Sequence, residues 1–139
     1  MSYIRQAFYH PSYTNEQGWD RTKSNEVLEY LGDAVYELIV RKIIWERYPD
    51  KDEGWQTQKK NEFTNQRFQA ELSRRNHLTD NLHLGRGEEM SGGKDKDSIL
   101  AQTLEALVGA IFLEYGYDYT EELLKRMLDE YLGSGEDRN

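Results

Sequence analysis

The chain has 139 residues and no cysteine, and its 18 basic and 26 acidic side chains give a formal net charge of −8. This length fits one domain that can bury a core, and the lack of cysteine excludes disulfides, cysteine-based zinc sites and thiol nucleophiles. Because the chain is acidic, any contact with nucleic acid must depend on local basic patches or bound cations. Short apolar runs and a polar N-terminus predict no membrane span and no signal peptide, and hence a cytoplasmic location.

Apolar residues recur three and four positions apart along most of the chain, which is typical of helices. In chain order, this pattern predicts helices over residues 2–9, 25–48, 55–77, 97–115 and 119–132. The connections between them are predicted as loops over 13–22, 50–54 and 79–93, the last rich in glycine. No segment has the alternation expected of a strand. The sequence therefore predicts an all-α, single bundle-like domain over residues 1–132 and a flexible tail over 133–139.

Three carboxylates share one face of the second predicted helix, since Glu26, Glu29 and Asp33 have the spacing i, i+3, i+7. The last two lie in an otherwise apolar stretch, where like charges repel and burial is costly without a cation. Gly32 lowers helix propensity there and permits the close approach of another backbone. The most apolar helix also carries an acid, Glu105. Two interpretations follow: a solvated acidic stripe with a packing glycine, or a divalent-cation site shared by two core helices.

The segment Asn25–Val35 closely resembles the signature of the ribonuclease III endonuclease domain. Four further segments resemble that family in the same order, namely its histidine-serine segment, acidic turn, glycine loop and second acidic helix: Gln6–Tyr13, Asp52–Gly54, Gly85–Gly93 and Ser98–Ala110. The resemblance covers roughly residues 4–130. It implies a homodimeric, all-α ribonuclease III-type endonuclease domain that cleaves double-stranded RNA and leaves 5′-phosphates and short 3′ overhangs.

Carried over position by position, the resemblance implies that Glu29, Asp33 and Glu105 are catalytic acids that bind Mg²⁺, or Mn²⁺. The family has an aspartate three residues before the last of these acids, where this chain has Gln102. An amide oxygen ligates Mg²⁺ more weakly than a carboxylate does. The resemblance therefore implies either an active enzyme in which Gln102 completes the metal shell, or an impaired domain that binds structured RNA or a ribonucleoprotein. A plain helical interaction module is a third hypothesis.

The resemblance also implies contacts between two subunits. Glu26 matches an acid near the subunit boundary, and Glu53 matches an acid near the partner subunit's site. Tyr30 stands where the family usually has a phenylalanine that inserts into a socket on the other subunit, and its hydroxyl needs a polar partner. The family usually carries a C-terminal double-stranded-RNA-binding domain, so we expect a stand-alone or truncated endonuclease domain.

Basic side chains gather in the third predicted helix, which has five of them against two acidic ones. Double-stranded RNA is recognised mainly by its shape, through phosphates and 2′-hydroxyls. The candidate RNA contacts in and after this helix are Lys59, Lys60, Gln66, Arg67, Lys94 and Lys96. The other interpretation of the helix is a solvated surface without a ligand. Because the whole chain is acidic, RNA binding should be modest and sensitive to salt.

Overall fold

The structure is a computed structural model that describes residues 2–132. Over that range the chain forms α-helices joined by turns and by three short 3₁₀ segments. The helices in chain order are α1 (Tyr3–Gln6), α2 (Pro11–Glu16), α3 (Glu26–Arg47), α4 (Glu53–Thr64), α5 (Gln66–Arg75), α6 (Arg86–Met90), α7 (Asp97–Tyr115) and α8 (Tyr117–Leu132). The predicted all-α class is thereby confirmed. The predicted tail over 133–139 lies outside the described residues.

The long helices α3 and α7 form the centre of the domain, with α5 packed on α7 and α8 against both central helices. Their buried side chains make one main hydrophobic core, which includes Tyr36, Ile39, Leu104, Leu124 and Leu128. By length and composition alone, α7 could cross a membrane, but more than half of its apolar window is buried inside the domain. Its hydropathy is therefore explained by its central position in the core.

Two glycines set the distance between α3 and α7. A methyl group on Gly32 would lie 1.7 Å from the carbonyl oxygen of Glu105, and one on Gly109 would lie 2.3 Å from that of Leu28. Both distances are far shorter than any contact between such atoms, so only glycine fits at either position. The predicted role of Gly32 in a close backbone approach is confirmed. The approach also places Glu105 on α7 beside the part of α3 that carries Asp33.

The structure differs from the predicted elements near the N-terminus. Residues 11–16 form α2 instead of the beginning of a loop, because Pro11 takes the first helical position and the side chain of His10 caps the helix. The ring nitrogen Nδ1 of His10 accepts the backbone N–H of Ser12 at 3.1 Å. The short helix α6 likewise lies inside the segment that was predicted as a glycine-rich loop.

The first helix is also shorter than predicted, since α1 ends at Gln6 and the prediction extended to residue 9. After α1 the backbone pairs with two distant segments. The carbonyl of Phe8 accepts the N–H of His83, and the carbonyl of Tyr9 accepts the N–H of Asn25. These bonds hold the N-terminal segment against the start of α3 and the segment before α6.

The helix predicted over 55–77 is divided at Asn65. The backbone of Asn65 is extended, and its side-chain oxygen accepts the N–H of Phe68 at 2.8 Å, which ends α4 and caps α5. At the other end of α4, the side chain of Asp52 forms the cap. Glu53 therefore belongs to the first turn of α4 and not to the predicted acidic turn.

Candidate active site

An open cavity of about 630 Å³ lies between α3 and α7 and is lined by carboxylates. We call it the acidic cavity, and its acidic side chains are Glu26, Glu29, Asp33 and Glu105. The crossing of the two helices at their glycines produces this grouping, because it brings the acid on α7 next to the acids on α3. The three acids singled out from the sequence as catalytic therefore meet in one place.

Glu105 is the most perturbed of these carboxyls. Burial raises its pKa to about 7, a hydrogen bond from Gln69 opposes that shift, and the charges of Asp33 and Glu29 add to it. The carboxyl of Asp33 lies within hydrogen-bonding reach of the Glu105 carboxyl. Near neutral pH, Glu105 therefore carries a proton for part of the time, and a cation in the cavity would favour its charged form.

Glu29 and Glu26 have opposite environments although they are one turn apart on α3. Burial raises the pKa of Glu29, and the neighbouring charges of Glu26 and Asp33 raise it further. The guanidinium of Arg21 instead donates to both carboxylate oxygens of Glu26, at 2.6 and 3.0 Å, and holds its pKa below the usual range. Glu26 thus forms an ion pair, whereas no Lys or Arg among residues 2–132 pairs with Glu29.

Gln69 belongs to the site, and sequence reasoning missed it. It lies on the inner face of α5, is only 4% exposed, and its Nε2 donates to Oε2 of Glu105 at 3.1 Å. The signal that could have found it is a polar residue between the apolar Phe68 and Ala70. A polar residue at that position is uninformative from sequence alone, because the buried face of the helix is known only once α5 is seen to start after Asn65.

The structure does not bring Gln102 into the acidic cavity. Gln102 is half-buried on α7, one turn before Glu105, and does not line the cavity. Among residues 2–132, no three acidic or histidine side chains are already arranged so that one ion could contact all of them. The donor set still fits Mg²⁺, which prefers oxygen ligands and is commonly held by one or two carboxylates while it keeps several waters.

Two residues predicted to lie at a subunit boundary line different cavities. Tyr30 lines the acidic cavity, and 86% of its surface is exposed. Glu53 lines a second cavity, of about 590 Å³, between α3 and α4. This α3–α4 cavity also has Leu38 and Trp45 in its wall. Within one chain, therefore, Glu53 does not belong to the acidic cavity.

Two of the predicted RNA-contacting lysines are held within the domain. The ammonium of Lys59 lies over the ring of Phe63 and forms an ion pair with Glu62 at 3.5 Å. Lys60 forms an ion pair with Glu37 on α3 at 3.0 Å. Both side chains are largely covered. An RNA phosphate would therefore have to compete with contacts that these lysines already make.

The other four predicted RNA contacts are more accessible. Gln66 and Arg67 are exposed in the first turn of α5. Lys94 and Lys96 follow α6 and form ion pairs with glutamates of that helix, at 3.9 and 2.5 Å. Exposed ion pairs of this kind contribute little free energy, so a phosphate can replace them at low cost.

Comparisons with known proteins agree with the geometry. A family model described as ribonuclease-III-like matches residues 2–131. The chain is 36% identical over 133 residues to Ribonuclease 3 of Listeria welshimeri, covering 96% of this chain and 58% of that protein. It is 42% identical over 126 residues to Ribonuclease 3 of Thermobifida fusca, covering 91% of this chain and 52% of that protein. The chain thus spans somewhat more than half the length of these curated relatives.

A solved structure gives the same result. The nuclease domain of ribonuclease III from Campylobacter jejuni matches with a TM-score of 0.84 and 30% identity, covering 92% of this chain and 85% of that one. That structure is described as flexible in a region involved in its dimer formation. The family predicted from the sequence is confirmed, and the chain belongs to the ribonuclease-III-like family.

Proposed function

We propose that the protein is a metal-dependent endoribonuclease that cleaves double-stranded RNA to products with 5′-phosphates and short 3′ overhangs. The observation that carries the proposal is the meeting of Glu29, Asp33 and Glu105 in one open cavity. Carboxylates in such proximity repel one another, and burial has raised the pKa of two of them. Clustered carboxylates with raised pKa values are typical of functional sites, because a bound cation or a proton is needed to offset their repulsion.

The chain's own residues suit Mg²⁺ or Mn²⁺ chemistry. Asp33 and Glu105 would hold the ion, with Glu29 beside them, and the bound ion would supply an activated water and neutralise phosphate charge. Glu29, whose pKa burial raises, can exchange a proton with a reactant in the cavity. Gln69 donates a hydrogen bond to the Glu105 carboxylate.

Formation of a homodimer is part of the proposal. Exposed apolar side chains follow one face of α3, where Val27, Tyr30, Leu38 and Trp45 are separated by three, eight and seven positions. Several exposed apolar side chains aligned on one helix of a small domain indicate an interface. We call this set the apolar stripe. A second copy of the chain is the proposed partner, because the stripe includes both the protruding Tyr30 and the apolar wall of the α3–α4 cavity.

The α3–α4 cavity would receive Tyr30 of the second copy. Leu38 and Trp45 offer an apolar surface to the ring, and Gln56 and Thr57 offer polar groups to the hydroxyl. Since Tyr30 also lines the acidic cavity of its own chain, its insertion would bring the Glu53 in this wall towards the other subunit's acids. Glu53 then has the role that the family resemblance implies.

For RNA contact, the accessible residues are the stronger candidates. Gln66 and Arg67 at the start of α5, and Lys94 and Lys96 after α6, can reach phosphates without disturbing the fold. Dimer formation would present two such sets. Binding to phosphates should weaken steeply as salt increases.

Gln102 favours a second candidate function, a catalytically impaired domain that binds structured RNA or a ribonucleoprotein. This residue is neutral where the family has an aspartate, and its side chain lies outside the cavity lining. The site would then bind the cation too weakly for efficient cleavage. The two functions differ in catalysis and not in RNA binding.

Cleavage of end-labelled double-stranded RNA, with Mg²⁺ and with EDTA, distinguishes the two functions. Mg²⁺-dependent products with short 3′ overhangs support the enzyme, and Glu105→Ala should then lower the rate by more than the roughly 10–100-fold typical of outer ligand-supporting residues. Glu122→Ala removes an exposed acid on α8 and is the control. RNA retained in a gel shift without products would favour the impaired domain, and neither cleavage nor binding would contradict both.

A further inference from the structure

A buried amide is an expensive group to place in a helix interface unless its polar atoms find partners. Gln69 is such a group, because it lies between α5 and α7 and its neighbours on the same face are Ala70, Leu72 and Ser73. An apolar side chain of the same length would fill this space with a smaller loss of solvation free energy. The distinct property of the amide is the bond from its Nε2 to Oε2 of Glu105.

We propose that Gln69 is a positioning residue of the cation site, which holds one carboxylate oxygen of Glu105 so that the other faces the ligands on α3. This inference rests on the metal-dependent function proposed above. A carboxylate with one oxygen engaged loses rotational freedom, and less entropy is then lost when an ion binds the other oxygen. Asp33 lies within hydrogen-bonding reach of the same carboxyl, on the side of the acidic cavity.

The fold fixes Gln69 at this position through a sequence of contacts that begins on α3. The hydroxyl of Tyr36 donates to the carbonyl of Phe63 at 2.5 Å, which ties the end of α4 to α3. The rings of Phe63 and Phe68 then meet edge to face across the break at Asn65. Because Phe68 directly precedes Gln69, the position of the amide is determined by the same helix that supplies Asp33.

Gln102 approaches Glu105 from a different direction than Gln69 does. It precedes Glu105 by one turn on the same helix, whereas Gln69 approaches from a different helix and from the buried side. We therefore expect substitutions at these two glutamines to have different effects. Loss of Gln69 should loosen a ligand that is present, whereas a change at Gln102 should alter the charge beside the acidic cavity.

The test compares Gln69→Met, which keeps the length of the side chain and removes both polar atoms, with Gln58→Met, which makes the same change at an exposed position on α4. Calorimetric titration with Mn²⁺ measures the dissociation constant directly, without RNA. We expect Gln69→Met to raise the Kd for Mn²⁺ by about tenfold or more, within the range typical of residues that support a metal ligand. Gln58→Met should leave the Kd unchanged.

A second variant separates the hydrogen bond from the packing. Gln69→Asn keeps the amide but is one methylene shorter, so it should lose contact with Glu105 and weaken Mn²⁺ binding as Gln69→Met does. Circular dichroism and urea denaturation establish that each variant folds. In cleavage assays kcat should fall with little change in KM for RNA, since the RNA surface is untouched.

The outcomes separate this inference from the proposed function. If the wild-type protein binds Mn²⁺ and Gln69→Met binds it equally well, the positioning role is wrong and the metal-dependent function stands. If the wild-type protein binds no divalent cation, both are wrong. A raised Kd in both Gln69 variants, with normal folding and a normal Gln58→Met control, supports the inference.

Discussion

The α-carbon of Gly32 on α3 packs directly against the backbone carbonyl of Glu105 on α7, so that a methyl group at Gly32 would lie 1.7 Å from that oxygen. This contact has a structural and a functional consequence. It fixes the spacing of the two central helices, and it makes the acid on α7 a neighbour of Asp33 and Glu29. Packing of the core and assembly of the acidic cavity therefore depend on the same pair of residues.

Replacing Gly32 by alanine should destabilise the protein strongly. The added methyl group would overlap a backbone atom that cannot move without displacing α7, so we expect a loss of about 3 kcal/mol or more in the free energy of unfolding. Gly87→Ala is the matched control, since a methyl group there meets nothing within 4 Å. Urea denaturation of both variants measures the difference, and equal stabilities would show that the helix crossing is not constrained as described.

Replacing Tyr30 by alanine should shift the protein towards the monomer. The side chain is 86% exposed and belongs to the apolar stripe on α3, so a dimer through that stripe would lose its most exposed group. Tyr30→Phe keeps the ring and tests the contribution of the hydroxyl alone. Met90→Ala removes a side chain that is 87% exposed but lies on α6, and it should not change the association. Sedimentation equilibrium gives the dissociation constants, and an unchanged constant for Tyr30→Ala would contradict the proposed interface.

The acidic cavity should make the stability of the protein depend on pH in a defined direction. Burial raises the pKa of Glu105 from 4.5 to about 7, so the folded state binds this proton more tightly than the unfolded state does. The stabilisation from this proton is fully present below about pH 4.5 and is lost as the pH rises to about 7, so the contribution of Glu105 to the free energy of unfolding falls across that interval. Glu105→Gln cannot titrate and should become progressively more stable than the wild type over the same interval.

Urea midpoints measured across that interval in the presence of EDTA provide the test of this prediction. Glu122→Gln replaces an exposed glutamate on α8 and should show no such trend relative to the wild type. A constant difference between Glu105→Gln and the wild type would mean that this carboxyl titrates normally in the folded protein. Addition of Mg²⁺ should oppose the destabilisation at the upper end of the interval, because the cation favours the charged carboxylate.

Much of the site could be predicted from the sequence, because the spacing of residues along a helix is a local property. The positions of Glu29 and Asp33 one turn apart, and of a glycine between them, follow from the period of a single helix. The grouping with Glu105 was one of two interpretations that the residues allowed, and the family resemblance favoured it, since periodicity alone cannot choose which two helices pack together. In the structure, α3 and α7 pack together because Gly32 and Gly109 allow their backbones to approach closely.

The helix boundary at Asn65 was mispredicted because two local signals, the apolar periodicity and a capping side chain, compete there. The pattern over 55–77 is continuous in its apolar residues, yet Asn65 satisfies two helix ends with one side chain and divides it. The ion pair between Arg21 and Glu26, and the coverage of Lys60 by contact with Glu37, depend on tertiary positions. Sequence spacing could not reveal these pairs, and the same is true of the bond made by Gln69.

Replacing Gln102 by aspartate tests whether the neutral residue limits the site. Although residue 102 does not line the acidic cavity, a carboxylate there would add a unit charge one turn from Glu105, and its attraction for a cation in the cavity is worth on the order of 1–2 kcal/mol. We therefore expect the affinity for Mg²⁺ to rise about tenfold and Mg²⁺-dependent cleavage of double-stranded RNA to increase. Ser98→Asp adds the same charge at an exposed position on α7 that is one turn further from Glu105, and is the control.

The result for Gln102→Asp separates the two candidate functions. A large gain in cleavage from a nearly inactive wild type would identify the native chain as the impaired domain, with the missing charge as the cause. An active wild type with only a small gain would mean that Glu29, Asp33 and Glu105 suffice to hold the cation. If Ser98→Asp raised the activity equally, the effect would belong to the general field of the helix and not to a ligand position.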